Sequence, residues 1–409
     1  MTDLRVAVDP IELGFDPSRL DRIDRHFARY VDDGRLPGWL VAVSRAGQLA
    51  HVSTYGRRDV EADLPVELDT IFRIYSMSKP ITSVAAMMLY EEGAFGLKDP
   101  VSRFIPAFAD QQVYVSGSPT APVTIPTREP MRIWNLLTHT SGLTYGFHYA
   151  HPVDAMYRHA GFDFGSPKVS LAEACDIWAS MPLLFEPGTE WNYSVSTDVL
   201  GRVVEVASGQ SLDEFLAERI FGPLGMTDTA FHVPEAGHDR LAALYVPGPE
   251  QQAVKFDALG RGALKQPAML SGGGGLVSTA ADYHRFTQML LRGGELDGTR
   301  ILGRATVDYM TQNHLPGGVE LERIARPTFS ETAFSGMGFG LGFSVVENPA
   351  ENKVLSSIGE YAWGGAASTA FWVDPTEEIT ALFFTQLLPS STYEIRPQLK
   401  QLVYQALVD

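Results

Sequence analysis

Residues 72–93, FRIYSMSKPITSVAAMMLYEEG, form the segment that most constrains the fold of this 409-residue chain. From Met77 to Leu89, apolar and small residues occur on every side of a helix rather than on one face. A helix that is apolar all round is surrounded by protein, so the segment predicts a central helix with other elements packed around it. Pro80 suits the first turn of this helix and Gly93 suits its end.

Two polar residues, Ser76 and Lys79, stand at the start of this apolar helix. Their spacing places them on one face, and Ser76 lies at the positive end of the helix dipole. Serine is a common helix cap, so the motif alone is equally compatible with a cap and with a catalytic pair. A serine hydroxyl becomes a good nucleophile when a base removes its proton, and a buried lysine with a lowered pKa can be that base. An unpaired ammonium in an apolar helix is costly, which favours a chemical reason for Lys79.

Composition argues against several classes of protein. The net charge of -17 and the pI near 5.0 argue against nucleic-acid binding, which needs clustered lysine and arginine. The first residues, MTDLRVAVDPIELGF, contain no basic segment followed by an apolar run, and no later segment has the roughly 18 apolar residues of a membrane span. We therefore expect a cytoplasmic protein that does not enter the membrane. Cys175 is the only cysteine, so an intrachain disulfide is impossible.

The sequence predicts neither a cofactor nor a metal. The glycine cluster 272–275 lacks the Gly-Lys-Ser/Thr ending of a phosphate-binding loop. His148 and His151 belong to no metal-binding motif such as His-Glu-x-x-His. The nucleophile elbow Gly-x-Ser-x-Gly is also missing, because its nearest approach, at Ser344, has Val346 where glycine is required.

Strand signals occur at both ends of the chain. Two extended runs meet at residues 46–48 and another two at residues 374–376, which predicts a hairpin near each end. The terminal regions also predict helices over 17–31, capped by Asp16, and over about 396–407, with a further strand over 338–347. The chain between about 95 and 265 has helical patterns separated by loops rich in proline and glycine. We therefore expect one sheet assembled from both chain ends, interrupted by a helical insert.

Three further motifs follow the Ser-x-x-Lys helix in order: LLTHTSGLTY at 136–145, EPGTEWNYSVSTDVLG at 186–201 and YAWGGAASTAFWVDP at 361–375. This ordered set resembles the serine β-lactamase and penicillin-binding-protein superfamily, most closely the class C β-lactamase-like esterases called family VIII carboxylesterases. The resemblance runs from about residue 16 to the C-terminus. It implies a β-lactamase-like α/β (α+β) fold, with an antiparallel sheet from both chain ends flanked by helices. Its domains would be 1–95 with 265–409 (α/β) and 96–264 (mostly helical), with the active site in the cleft between them.

The resemblance implies a role for each residue that matches a family motif. Ser76 matches the acylated nucleophile, Lys79 its partner, and Tyr193 the tyrosine that acts first as general base and then as general acid. A phenolate held near a lysine ammonium could exchange these protons. The family's Tyr-x-Asn has become Tyr193-Ser194-Val195, so the asparagine is missing. Without the other motifs, Tyr193 would be interpreted as a buried aromatic that anchors a loop beside Trp191.

The third motif departs further from the β-lactamase pattern. Trp363-Gly364-Gly365 stands where β-lactamases have Lys-Thr-Gly, whose lysine binds a substrate carboxylate. Because tryptophan carries no charge, the resemblance implies an uncharged ester substrate. The glycines would let the backbone approach the ligand, and the N–H groups of Ser76 and Ala366 would form the oxyanion hole. The resemblance also places Tyr145 near the cleft as a substrate-binding residue.

The sequence thus predicts a serine carboxylesterase that hydrolyses small to medium acyl esters through an acyl-enzyme on Ser76. An acyltransferase with the same acyl-enzyme is the alternative. A β-lactamase or D-amino-peptidase is disfavoured by Trp363, by Val195 and by the absence of an export signal. A non-catalytic penicillin-binding fold is disfavoured by the intact catalytic set. The expected partner is a small-molecule ester, and the sequence leaves the oligomeric state open.

Overall fold

The computed structural model describes residues 4–165 and 167–409, so residues 1–3 of the predicted α/β domain lie outside the described residues. In chain order the strands are β1 (Gly38–Arg45), β2 (Gln48–Asp59), β3 (Leu64–Pro65), β4 (Phe72–Arg73), β5 (Gln112–Ser118), β6 (Ala121–Pro126), β7 (Tyr245–Pro247), β8 (Ala253–Lys255), β9 (Val277–Ser278), β10 (Glu295–Leu296), β11 (Thr299–Arg300), β12 (Met337–Phe339), β13 (Ser344–Val346), β14 (Tyr361–Gly364), β15 (Ala370–Asp374) and β16 (Ile379–Phe384).

The α-helices follow the same order and vary in length from one turn to four. They are α1 (Pro17–Asp32), α2 (Ser78–Glu91), α3 (Ile133–Leu137), α4 (Pro152–His159), α5 (Leu171–Ala179), α6 (Ser196–Ser208), α7 (Leu212–Leu216), α8 (Gly222–Leu224), α9 (Asp257–Gly260), α10 (Ala280–Leu291), α11 (Arg304–Met310), α12 (Leu321–Ile324), α13 (Pro349–Asn352) and α14 (Ile395–Tyr404).

The largest sheet is antiparallel and has eight strands in the order β12-β13-β14-β15-β16-β1-β2-β3. Its centre joins the two chain ends, because β1 pairs with β16 in a register that sets Leu40 opposite Phe384. The predicted sheet from both ends is therefore confirmed, and so are the two predicted hairpins, β1–β2 and β15–β16. Hairpins are predictable because two short extended runs around turn residues leave the chain few alternatives.

Helices cover both faces of this sheet. Successive side chains of a strand point to opposite faces, so Val41 faces one apolar cluster and Leu40 the other. The first cluster contains the apolar stripes of α1 and α14, and the ring centroid of Phe27 lies 4.8 Å from that of Phe383. The second cluster contains α2 and α10. The sheet therefore separates two cores, and the site described below lies on the α2 side.

The central helix predicted from the apolar segment is α2, in which every residue from Ser78 to Leu89 is buried. Helix α1 also begins as predicted, because the Asp16 carboxylate accepts the N–H of Ser18 at 2.8 Å. At the C-terminus, α14 ends at Tyr404, three residues before the end predicted for it.

The structure corrects one prediction about strands. The single strand predicted over 338–347 is a hairpin of two short strands, β12 and β13. Gly342, between them, has a φ of 100°, and a Cβ there would collide with the Ser83 hydroxyl, so close packing on α2 interrupts the strand. The region expected to be mostly helical also contains the hairpins β5–β6 and β7–β8. Most β5 and β6 side chains are exposed, so these strands lack the alternation of apolar and polar residues that marks a half-buried strand.

Helices predominate over 96–264 in the described chain, although the domain division itself stays a prediction. The helices α5 and α6 occur where the sequence predicts helical segments, and α6 packs against α2. This contact joins the insert to the central helix. None of the described helices combines the length and the apolar character that a membrane crossing requires.

Candidate active site

The segment that carries Ser76 is a single 3₁₀ turn, Tyr75–Met77, which leads directly into α2. Tyr75 has a φ of 42°, a left-handed conformation that costs energy for a residue with a side chain. The Met77 carbonyl is fixed by the Tyr283 hydroxyl, which donates to it at 2.9 Å. The strained turn exposes Ser76 to a cavity of about 450 Å³, while the residues of α2 behind it are buried.

Lys79 lies one turn behind Ser76, and its side chain is completely enclosed. Its Nζ contacts the Ser76 Oγ at 3.3 Å and donates to the Gly273 carbonyl at 2.6 Å. Burial lowers the pKa of Lys79 to about 8, although the negative charges of Asp198 and Glu331 oppose this shift. A lysine with this pKa is about one-tenth neutral at pH 7 and half neutral near pH 8, and the neutral amine can accept a proton.

Tyr193 lies on the other side of Lys79. The Lys79 Nζ is 4.5 Å from the centroid of the Tyr193 ring, so the cation faces the ring. Burial raises the pKa of Tyr193 well above its usual value, an effect that Glu331 reinforces and the nearby Ser76 hydroxyl opposes. The Tyr193 hydroxyl makes no hydrogen bond of standard geometry with the described residues. The raised pKa favours the neutral phenol, whereas the sequence-based interpretation considered a phenolate beside the Lys79 ammonium.

A buried carboxylate holds the loop that contacts Lys79. Asp198, on α6, accepts the Ser271 hydroxyl and the N–H of Gly273, the latter at 3.0 Å. Burial raises the pKa of Asp198, while the positive charge of Lys79 opposes the rise. A Cβ at Gly273 would lie 2.6 Å from this carboxylate, so the loop needs glycine there. The sequence analysis missed Asp198 and Gly273, although an acidic residue in an apolar helix was an available signal.

Ala366 lies in the turn between β14 and β15. Two hydrogen bonds close the turn. The Gly365 N–H donates to the Thr369 carbonyl at 2.9 Å, and the Ser368 N–H donates to the Gly365 carbonyl at 3.0 Å. Ala366 lines the same cavity as Ser76, and its N–H donates to no described group. A Cβ at Gly365 would collide with the Ile74 carbonyl, so the turn lies directly against the segment that carries Ser76.

The Trp-Gly-Gly residues lie behind the cavity wall. Trp363 does not line the cavity of Ser76, and its ring packs edge-on against Tyr193 with centroids 5.4 Å apart. The space that a Cβ on Gly364 would need is filled by the Arg396 guanidinium. These glycines therefore allow close packing within the protein, whereas the sequence analysis attributed them to the approach of a ligand. Substrate binding by Trp363, Gly364 and Gly365 stays a prediction.

Aromatic side chains form much of the cavity wall. Tyr145 lines the cavity, and its ring stacks on Phe147 with centroids 4.5 Å apart and lies 5.3 Å from that of Tyr193. Phe147 also contacts Phe164, which is 42% exposed although it is large and apolar. An exposed aromatic beside a cavity is suited to contact with an apolar ligand group.

His139 is buried, and its contacts favour a structural role. The Nδ1 of His139 is 3.3 Å from the Ser194 hydroxyl, and burial lowers its pKa well below the usual value. Across residues 4–165 and 167–409, no group of three or more His, Cys, Asp or Glu side chains could hold a metal ion.

Comparison with known proteins identifies the family. Residues 23–405 match the Beta-lactamase family model. Protein Rv1367c of Mycobacterium tuberculosis is 37% identical over 88% of each chain, and Esterase EstB of Burkholderia gladioli is 30% identical over 95% of each chain. The solved structure of EstCE1, described as a hydrolase with promiscuous acyltransferase activity, is 28% identical with a TM-score of 0.79 and covers 97% of this chain and 99% of its own. The predicted fold and superfamily are therefore confirmed, and the chain belongs to the Beta-lactamase family.

Proposed function

We propose that the protein is a serine carboxylesterase that hydrolyses small to medium acyl esters through an acyl-enzyme on Ser76. The observation that carries the proposal is the contact of a buried lysine, whose pKa is lowered to about 8, with the Ser76 hydroxyl at 3.3 Å. Similarity to EstB and EstCE1 supports ester chemistry and membership of the family VIII carboxylesterases. A cytoplasmic location stays a prediction.

In the first step, neutral Lys79 accepts the proton of Ser76 while Oγ attacks the ester carbonyl. The oxyanion of the tetrahedral intermediate accepts hydrogen bonds from the N–H groups of Ser76 and Ala366. The Tyr193 phenol then donates its proton to the departing alcohol and regains one from the Lys79 ammonium. This assignment follows the pKa directions, because burial favours the neutral forms of both groups.

In the second step, a water molecule attacks the acyl-enzyme. The neutral Lys79 amine accepts a proton from this water as the new bond forms. Collapse of the intermediate breaks the bond to Ser76 Oγ, which regains a proton, and the carboxylic acid leaves. Attack by an alcohol in place of water would make an ester, and the description of EstCE1 favours this acyltransferase reaction as a second activity.

The charges around the cavity favour an ester over a β-lactam. A β-lactam carries a carboxylate, which needs a cationic partner. Arg396 is paired with the buried Glu331 carboxylate, and Arg73 donates to the carbonyls of Ala242 and Gly260. Trp363 stands in place of the family's lysine. The described cavity wall thus offers a substrate carboxylate no uncommitted arginine, and Lys79 is committed to the chemistry.

Ser76→Ala should abolish the proposed reaction. We expect kcat on p-nitrophenyl butanoate to fall at least about a thousandfold, because the nucleophile is lost. Mass spectrometry should detect a serine-directed phosphonate on Ser76 in the wild type and none in the variant. Ser83→Ala, a buried serine of the same helix, is the matched control and should keep both properties. Substantial activity in Ser76→Ala would contradict the proposal.

The pH dependence should report the titration of Lys79. Only the neutral amine accepts the Ser76 proton, so kcat/KM should rise with pH and level off above about 8, the pKa of Lys79. Rates measured from pH 6 to 9.5, corrected for spontaneous ester hydrolysis, test this. Lys79→Arg should be inactive throughout, because arginine stays protonated. A flat wild-type profile would exclude Lys79 as the base.

Asp198→Asn should shift this profile to lower pH. The Asp198 charge favours the Lys79 ammonium, so its removal should lower the pKa of Lys79 further. The asparagine Oδ1 can still accept from Ser271 and Gly273, because both bonds reach a single oxygen. The inflection of kcat/KM against pH should therefore move below that of the wild type. An unchanged inflection would show that Asp198 does not act on Lys79 through charge.

The protein should hydrolyse esters with a much higher kcat/KM than β-lactams. We expect kcat/KM for nitrocefin to be at least about a hundredfold below that for p-nitrophenyl butanoate, since an unpaired carboxylate loses its charged hydrogen bonds. Both rates are measured with one enzyme preparation, and Ser76→Ala gives the background for each. Comparable efficiencies would favour a β-lactamase, and folded protein inert to both substrates would favour a non-catalytic role.

A further inference from the structure

Arg396, on α14, reaches under the turn that carries Ala366. Its Nη2 donates to the Gly365 carbonyl at 3.3 Å and to the Thr369 carbonyl at 3.2 Å. These carbonyls stand at the two ends of the five-residue turn, and each also accepts an N–H from within it. The side chain is only 25% exposed, so the contacts form in a partly dry environment. One guanidinium therefore fixes both ends of the turn.

Glu331 holds the Arg396 guanidinium in place. The Arg396 Nη1 donates to the backbone carbonyl of Glu331 at 2.7 Å, and Nη2 donates to its carboxylate. The carboxylate is completely buried and also accepts the Ser390 hydroxyl at 2.9 Å. Planar guanidinium groups bind several acceptors in fixed directions, which an ammonium cannot do. The pair is thus neutral overall and geometrically rigid.

The glycine before the turn makes room for this arrangement. A Cβ at Gly364 would collide with the guanidinium carbon and nitrogens of Arg396. A residue with a side chain would therefore displace Arg396 from beneath the turn. On the opposite side, Gly365 lies against the Ile74 carbonyl, two residues before Ser76. The turn is thus held between the arginine and the nucleophile segment.

We propose that Arg396 and Glu331 are positioning residues that set the Ala366 N–H for the oxyanion. Arg396 does not line the cavity of Ser76, and Glu331, which does, has a completely buried side chain. Both residues act through the Gly365–Thr369 turn. The inference rests on the proposed function, because it assigns a support to the oxyanion hole of that reaction. Oxyanion-hole donors act in the transition state, so a displaced donor lowers kcat more than it changes KM.

The test uses Arg396→Lys, which keeps the charge beside Glu331 but loses the planar fork whose Nη1 binds the Glu331 backbone carbonyl while Nη2 reaches the turn. We expect kcat on p-nitrophenyl butanoate to fall at least about tenfold, with KM changed less than about threefold. The thiono analogue, with sulfur in place of the carbonyl oxygen, uses the oxyanion hole poorly. The ratio of kcat/KM for the oxo ester to that for the thiono ester should therefore fall by a factor similar to that in kcat.

A second pair on the same helix supplies the matched control. Lys400, also on α14, is paired with Glu360, whose carboxylate is likewise completely buried. Glu360→Gln and Glu331→Gln each remove a buried charge, yet only Glu331→Gln weakens the support of the turn. Because the Glu331 charge also acts on Lys79, both variants are assayed above about pH 9, where Lys79 is mostly neutral. Glu360→Gln should lower the Tm while leaving the oxo/thiono ratio at the wild-type value. Glu331→Gln should lower the ratio, and it carries the test if Arg396→Lys does not fold.

The outcomes separate this inference from the proposed function. Absence of wild-type ester hydrolysis, or an active Ser76→Ala, counts against the proposed function. In an active wild type, folded Arg396→Lys and Glu331→Gln variants with unchanged kcat overturn the inference. A loss of kcat with an unchanged oxo/thiono ratio also overturns it, because the pair would then be structural only. An equal loss of that ratio in Glu360→Gln overturns it as well.

Discussion

The burial of the Lys79 ammonium is the constraint on which the rest of the site depends. A cation removed from water must find partners, and here they come from segments far apart in the sequence. The Gly273 carbonyl is 194 residues away along the chain, and the Asp198 carboxylate holds the loop that supplies it. The same desolvation lowers the pKa of Lys79 to about 8. One buried charge therefore joins α2, α6 and the loop that contains Gly273, and the proposed reaction uses the same group as its base.

Much of the fold could be predicted because its signals are local. The cap at Asp16, the hairpin turns and the all-round apolar character of α2 each depend on neighbouring residues, and the structure agrees with them. The prediction of a single strand over 338–347 was wrong for the opposite reason, because its signal was not local. Its break at Gly342 is imposed by Ser83 on α2, which lies far away in the sequence. Local patterns predict elements well, whereas packing between elements decides where they are interrupted.

The site shows the same limit. The ordered motifs identified Ser76, Lys79 and Tyr193, and the structure brings these three together, although their roles stay predictions. The groups that support them were missed, because no spacing rule relates Asp198 to Lys79. The rise in the pKa of Tyr193 was also missed, because the side chains that bury it come from distant segments. The candidate residues could be identified from the sequence, whereas their pKa shifts depend on side chains that only the folded structure brings together.

The proposed catalytic groups do not determine whether the protein hydrolyses an ester or transfers its acyl group. In the proposed mechanism, Lys79 accepts the same proton whether water or an alcohol attacks the acyl-enzyme, so it cannot select between the two. Selection must depend on which nucleophile reaches the acyl carbonyl. The cavity wall contains stacked rings such as Tyr145 and Phe147, which favour an apolar alcohol over water. Substitutions in this aromatic wall, rather than in the catalytic residues, are therefore the changes that should shift the balance between the two reactions.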